Sequence, residues 1–168
     1  MFGHKTLLIL SLSIILSLSR SQTYFECTFK DNDCGIKNEP DMKTLFTYGR
    51  AFIGGRDQNM MHLDVSSAQT QGARLVTPYY HSYDQIYGCL TVQWYSYGAG
   101  QQSLSITQQD KRNVKIWSSY VKSYDWQKTA INVDLRGGDL RFFIEANFEP
   151  KTKGMIAIDD LRLDYHKC

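Results

Sequence analysis

No Asn-x-Ser/Thr sequon occurs anywhere in the 168 residues, so the sequence offers no acceptor for an N-linked glycan. The short catalytic motifs are missing too. There is no HExxH for zinc hydrolysis, no GxSxG elbow, and no GxxxxGK or GxGxxG to cradle phosphates. Beyond His4 in the first segment, only His62, His81 and His166 remain, and they read as surface or strand residues. Ser66 and Ser67 lie near His62 without the strand-to-helix turn a nucleophile needs. These absences exclude the common hydrolase and nucleotide-binding designs and predict a chain that is not an enzyme. No stretch after Leu18 approaches the roughly 20 apolar residues of a membrane-spanning helix, and no lipid-anchor signal or membrane anchor is expected. Internal repeats, low-complexity tracts, linkers and helical periodicity are all missing, which leaves one domain.

The apolar run Leu7 to Leu18, behind a short basic front of His4 and Lys5, has the form of a secretory signal. Small residues around Arg20 place the cut after Ser21, giving a signal peptide of residues 1–21 and a single domain of residues 22–168. The full chain carries 19 basic and 17 acidic side chains. Lys5 and Arg20 depart with the signal, so the mature domain is balanced in charge. A nucleic-acid partner is therefore not expected, because engaging phosphates needs a basic excess.

All four cysteines, Cys27, Cys34, Cys89 and Cys168, lie in the mature part. An even number in a secreted chain implies disulfides, and four allow three pairings. Cys27 and Cys34 are close enough to close a local loop, which would leave Cys89 for Cys168. With no CxxC pair and an oxidising compartment, a zinc site is the weaker reading.

About ten short runs rich in Val, Ile, Thr, Tyr, Phe and Trp recur roughly every ten residues, the pattern of an antiparallel sandwich or barrel. Cys89 to Tyr97 is the clearest central strand, with Leu90, Val92 and Trp94 on one face. Leu45–Tyr48 and Ala51–Ile53 are weaker candidates, separated by Gly49-Arg50 and ended by Gly54-Gly55. The last run, Gly154 to Tyr165, changes parity. Ile156 and Ile158 share one face, while Leu161, Leu163 and Tyr165 share the other. A half-buried strand alternates with period two, so the pattern predicts a β-bulge at Asp159-Asp160 or burial of both faces.

Together these segments resemble the MAM domain, the extracellular module of meprin, A5 antigen and receptor tyrosine phosphatase mu. Cys27-Thr-Phe through Cys34-Gly35, Met61 to Ser67, Ala73 to Pro78, Cys89 to Gly98, Trp126-Gln127, Phe143 to Asn147 and Ile156 to Leu163 follow the family's motifs in order over nearly the whole mature chain. Lys30 stands where the family usually has Glu, and Gln58 where a glycine is frequent. The resemblance implies an all-β, antiparallel jelly-roll-like β-sandwich with two disulfides, Cys27–Cys34 and Cys89–Cys168. It also implies a secreted, extracellular adhesion or protein–protein contact role with no catalysis, the partner being an extracellular or cell-surface protein or a second copy.

One structural calcium or sodium ion is the candidate cofactor, because some MAM domains hold such an ion near the opening loop and the terminal Asp-Asp. Asp31, Asp33, Asp64 and Asp159 are the candidate ligands. Otherwise Asp159 and Asp160 would accept backbone N–H groups or pair with Arg74 or Arg162. Six of the eleven tyrosines cluster around Cys89. Tyrosine is enriched at interfaces, so Tyr79, Tyr80, His81, Tyr83 and Tyr87, in the loop-like stretch before that cysteine, form the candidate binding surface. The alternative is a carbohydrate-binding, lectin-like jelly roll, which exposed Trp94, Trp117 or Trp126 would favour. Alternation places Trp94 in the core with Leu90 and Val92.

Overall fold

Alternating apolar positions carry the chain into antiparallel strands whose inward faces fill one core. A computed structural model describes residues 23–82, 85–100, 102–120 and 123–168. The expected signal segment and Tyr83 lie outside the described residues. In chain order the strands are β1 (Thr23–Cys27), β2 (Lys37–Asn38), β3 (Thr47–Ile53), β4 (Arg56–Asp64), β5 (Gly72–Val76) and β6 (Tyr80–His81). They continue with β7 (Tyr87–Gly98), β8 (Gln102–Gln109), β9 (Asn113–Ser119), β10 (Ser123–Asp134), β11 (Asp139–Phe148) and β12 (Gly154–Asp164). Two sheets result. The first runs β10-β7-β12-β4-β3 with β1 also on β12, and the second runs β2-β5-β11-β8-β9 with β6 also on β11. The all-β two-sheet sandwich expected from the sequence is the fold observed.

Each sheet contributes every second residue to the shared core. Leu90, Val92 and Trp94 of β7 and Ile156, Ile158, Leu161 and Leu163 of β12 pack with Phe142, Ile144, Leu104 and Ile106 of the second sheet, all buried. Trp94 is in the core as its alternation requires, with its indole N–H donating to Thr129 Oγ1 at 3.0 Å. The two disulfides join Cys27 to Cys34 and Cys89 to Cys168.

The parity change in β12 is a bulge. Asp159 pairs with Gln93 of β7 and Leu161 with Val92, so Asp160 is the extra residue. Its φ of 41° lies in the left-handed region, a conformation that Asp tolerates better than most side chains. One inserted residue returns Leu161 and Leu163 to the core side. The bulge also marks a change of neighbour on one side of β12, where β4 pairs with Met155 to Ile158 and β1 with Leu161 to Asp164.

The hairpin beside it corrects one expectation and bears out another. Gly49-Arg50 does not divide β3, because both residues stay in register with Met60 and Asn59 of β4. Gly54-Gly55 forms the two-residue turn, with φ of 55° and 79°, between the paired residues Ile53 and Arg56. Two consecutive positive φ values suit the twist of a tight hairpin, and glycine reaches them without a steric penalty.

Candidate interaction surface

The first sheet buries apolar residues on its outer face as well. Ile53, Met60, Tyr95 and Ala157 form a second small core, flanked by Ala51, Tyr97, Trp126 and Met155. What covers it is the tip of the β3–β4 hairpin. A Cβ on Gly54 would stand 2.6 Å from the Tyr95 ring and 2.8 Å from Trp126 Nε1, so the tip lies directly on these rings. Trp126 Nε1 donates to the Ile53 carbonyl at 3.0 Å, and the Arg56 guanidinium sits 4.4 Å from the Trp126 ring centre.

The same arginine reaches inward. Arg56 Nη1 donates to Asp159 Oδ2 at 3.0 Å, and Gln58 Nε2 donates to that oxygen as well. Asp159 is fully buried, and its Oδ1 has no hydrogen-bond partner among the described residues. Burial first, then the adjacent charge of Asp160, pushes the Asp159 carboxyl above the ordinary aspartate range, against the pull of donors that include Arg56. Asp160 is held separately, by Gln93 Nε2 at 2.6 Å.

This arrangement corrects the aspartate metal set. Among the described residues no three His, Cys, Asp or Glu side chains converge as a metal site would require. Asp33 Oδ1 accepts from the Gly35 amide at 2.9 Å, and Asp31 is exposed. Asp64 caps the 3-10 turn Val65–Ser67 through bonds to Ser66 N and Oγ, which also employs the serine nearest His62. At Asp159 a guanidinium already supplies the positive charge, and one remaining buried oxygen falls far short of the six to eight that calcium takes. The residues present do not fit a calcium or sodium ion held by this set. Arg74 and Arg162 pair elsewhere, with Glu145 and Asp164, so they are not the partners of Asp159 or Asp160. Arg56 and Gln58, on the neighbouring strand, are the partners that sequence reasoning did not connect to Asp159.

The tyrosine-rich stretch is divided by the fold. Tyr80 is only 5 % exposed and packs against Phe25 and Phe142 in the main core. Its placement in a binding surface is corrected, and burial drives its hydroxyl well above the usual tyrosine range. Tyr79 is half exposed, with Arg141 4.7 Å from its ring centre. His81 is exposed and pairs with Asp139. Tyr87 is exposed beneath Lys167, whose Nζ lies 4.2 Å from the ring centre. The most exposed tyrosines among the described residues lie elsewhere: Tyr124, 73 % exposed with its ring centre 6.2 Å from that of Tyr97, and Tyr120, 81 % exposed. Neither has a sequence signal beyond its place at a strand end.

Residues 27–168 match the MAM domain, meprin/A5/mu. The chain belongs to the MAM family. MAM domains are non-catalytic, adhesion-type modules that mediate extracellular protein interactions, and the disulfides are consistent with an extracellular location. No curated protein matches the chain at a significant level. Among solved structures, the K1 cleaved adhesin domain of Lys-gingipain from Porphyromonas gingivalis W83 superposes with a TM-score of 0.64 at 14 % identity, covering 87 % of this MAM chain and 99 % of that one. TmCBM61, in complex with beta-1,4-galactotriose, gives 0.63 at 13 % identity over 87 % of this chain and 100 % of that one. The C-terminal family 22 carbohydrate binding module of Clostridium thermocellum Xyn10B gives 0.57 at 13 % identity, over 87 % and 96 %. At such identities the likeness is one of fold alone.

Proposed function

We propose that this MAM domain is a secreted, non-catalytic module that binds an extracellular or cell-surface protein, or a second copy of itself, through the outer face of its first sheet. The observation that carries this reading is Tyr124. The hairpin tip covers Tyr95 and one edge of Trp126, but Tyr124 stays 73 % exposed beside the half-buried Tyr97. Tyrosine, tryptophan, methionine and arginine are the side chains enriched where proteins meet. The second sheet lies on the opposite side of the first, so it does not cover this flank. A secretory signal over residues 1–21, and two disulfides that persist in oxidising compartments, support an extracellular site of action.

The test is a binding screen of the purified protein against arrayed recombinant ectodomains, itself included, with a Tyr124→Glu variant in parallel. Placing a carboxylate on the flank should abolish wild-type interactions while leaving the melting temperature unchanged. Interactions that survive the substitution would move the surface elsewhere, and a screen with no interaction at all would overturn the reading.

A further inference from the structure

The end of the second sheet carries a cleft of about 470 Å³ that the contact face does not use. This volume lies within the range of small-molecule sites. Its floor is built. Gln102 is buried, its Oε1 accepting from Ser96 Oγ at 2.7 Å and its Nε2 donating to the Tyr97 carbonyl at 3.3 Å, and Phe148 is buried beside it in register. The walls are pinned through the backbone, with Phe148 N donating to the Gln71 carbonyl at 3.0 Å and Thr152 Oγ1 to the Glu149 carbonyl at 2.7 Å. Asn147 stands between Gly72 and Ser103 in the sheet register. The lining side chains of Gln71, Ser103, Asn147 and Glu149 make no hydrogen bond or ion pair with any described residue, and Tyr120 presents its ring at the same cleft.

We propose that this cleft binds a neutral saccharide. A sugar ring has an apolar C–H face and a rim of hydroxyls that both donate and accept. The cleft supplies one exposed aromatic ring, two primary amides that donate and accept, a hydroxyl, and a carboxylate able to accept two hydroxyl protons. Among the described residues no lysine or arginine lines it, so none of them would compensate Glu149 against a sulfated or phosphorylated ligand. A hydrophobic peptide anchor would leave the amides and the carboxylate desolvated without partners, which is costly. The fixed floor means that little ordering is needed on binding. The site is independent of the Tyr124 flank on the other sheet.

The test is a printed array of neutral oligosaccharides with glucose, galactose, mannose, xylose or N-acetylglucosamine termini, beside sulfated and sialylated glycans. It is probed with wild type and with Tyr120→Ala, Asn147→Ala and Tyr124→Ala. Binding to at least one neutral glycan is expected, weakened about five- to tenfold by each of the first two substitutions and unchanged by the third. Both cleft side chains are exposed and make no hydrogen bond or ion pair with a described residue, so melting temperatures should not move. Glu149→Gln, a near-isosteric change, provides a second variant. Binding only to anionic glycans, binding indifferent to Tyr120 and Asn147, or no glycan binding would each overturn the proposal. An ectodomain interaction lost in Tyr120→Ala but preserved after enzymatic deglycosylation of the partner would reassign the cleft to protein contact.

Discussion

Arg56 and Asp159, 103 residues apart in sequence, meet in one ion pair at 3.0 Å that fastens a hairpin tip to the bulged strand beneath it. The carboxylate is fully buried, while the arginine side chain keeps a third of its surface in water and covers Trp126 with its guanidinium plane. The pair is thus asymmetric. Removing the arginine strands a buried charge, whereas removing the carboxylate leaves a cation that can turn to solvent.

Arg56→Met should therefore destabilise the domain by about 2–3 kcal/mol. Breaking a buried pair costs about 3–5 kcal/mol, and the partial exposure of Arg56 reduces it. Gln58 still donates to the same oxygen and limits the loss further. Urea unfolding monitored by tryptophan fluorescence gives the measurement. A change below about 0.5 kcal/mol would mean that the carboxylate is satisfied without Arg56.

Asp159 also gives the domain a specific dependence on pH. Burial, and next the charge of Asp160, raise its folded-state value above that of the unfolded chain. The folded state then binds the proton more tightly, so this contribution is complete below the ordinary aspartate value of about 3.9 and is lost as pH rises through the raised value. Asp159→Asn removes the titration. The stability of wild type relative to this variant should increase as pH falls from neutrality toward about 4, and a flat difference would contradict the raised value.

The sequence carried the bulge but not its partner. Parity is a local property, and Ile156, Ile158, Leu161 and Leu163 display the slip within eight residues of one strand. The cation for Asp159 comes from the first residue of β4, just past a turn whose path over the sheet depends on Gly54 resting on Tyr95 and Trp126, a tertiary contact with no local trace. Gln58 was legible only as a position where glycine is frequent in the family; its amide now bonds the carboxylate. The tyrosines before Cys89 failed for a related reason. A loop-like stretch has no period from which to read an inward face, and Tyr80 enters the core through a two-residue pairing with β11 too short to show a pattern. The cleft was equally hidden, since Gln71, Ser103, Tyr120, Asn147 and Glu149 come from separate strands and loops.

The two turn glycines provide an internally controlled test. Alanine at either site must take a positive φ, which costs about 1–2 kcal/mol. At Gly55 a methyl group meets open space, but at Gly54 it meets the Tyr95 ring at 2.6 Å. Overpacking adds about 1–3 kcal/mol, so Gly54→Ala should cost about 3 kcal/mol and Gly55→Ala about 1. Near-ultraviolet circular dichroism should change for Gly54→Ala alone, because only there are Tyr95 and Trp126 displaced. Equal losses at the two sites would mean that the tip does not bear on these rings.

The disulfides differ in what they hold. Cys27–Cys34 spans a sequence separation of 7 residues at the opening loop, while Cys89–Cys168 spans 79 and ties the end of the chain to the start of the central strand. Constraint of the unfolded chain grows with the logarithm of loop length, giving about 2.4 kcal/mol for the short loop and about 4.5 for the long one. Replacing both cysteines of a pair by alanine keeps a lone reactive thiol out of the comparison. The Cys89/Cys168 double variant should lose about twice the stability of the Cys27/Cys34 variant in guanidinium unfolding. Its last strand should nevertheless stay in the sheet, because β12 remains paired with β7 over nearly its whole length and with β4 and β1 on the other side. Hydrogen exchange distinguishes these effects: protection at Ile156, Ile158 and Leu161 should fall only as far as global stability falls. Selective loss of protection there would make the disulfide, rather than strand pairing, what keeps β12 in place.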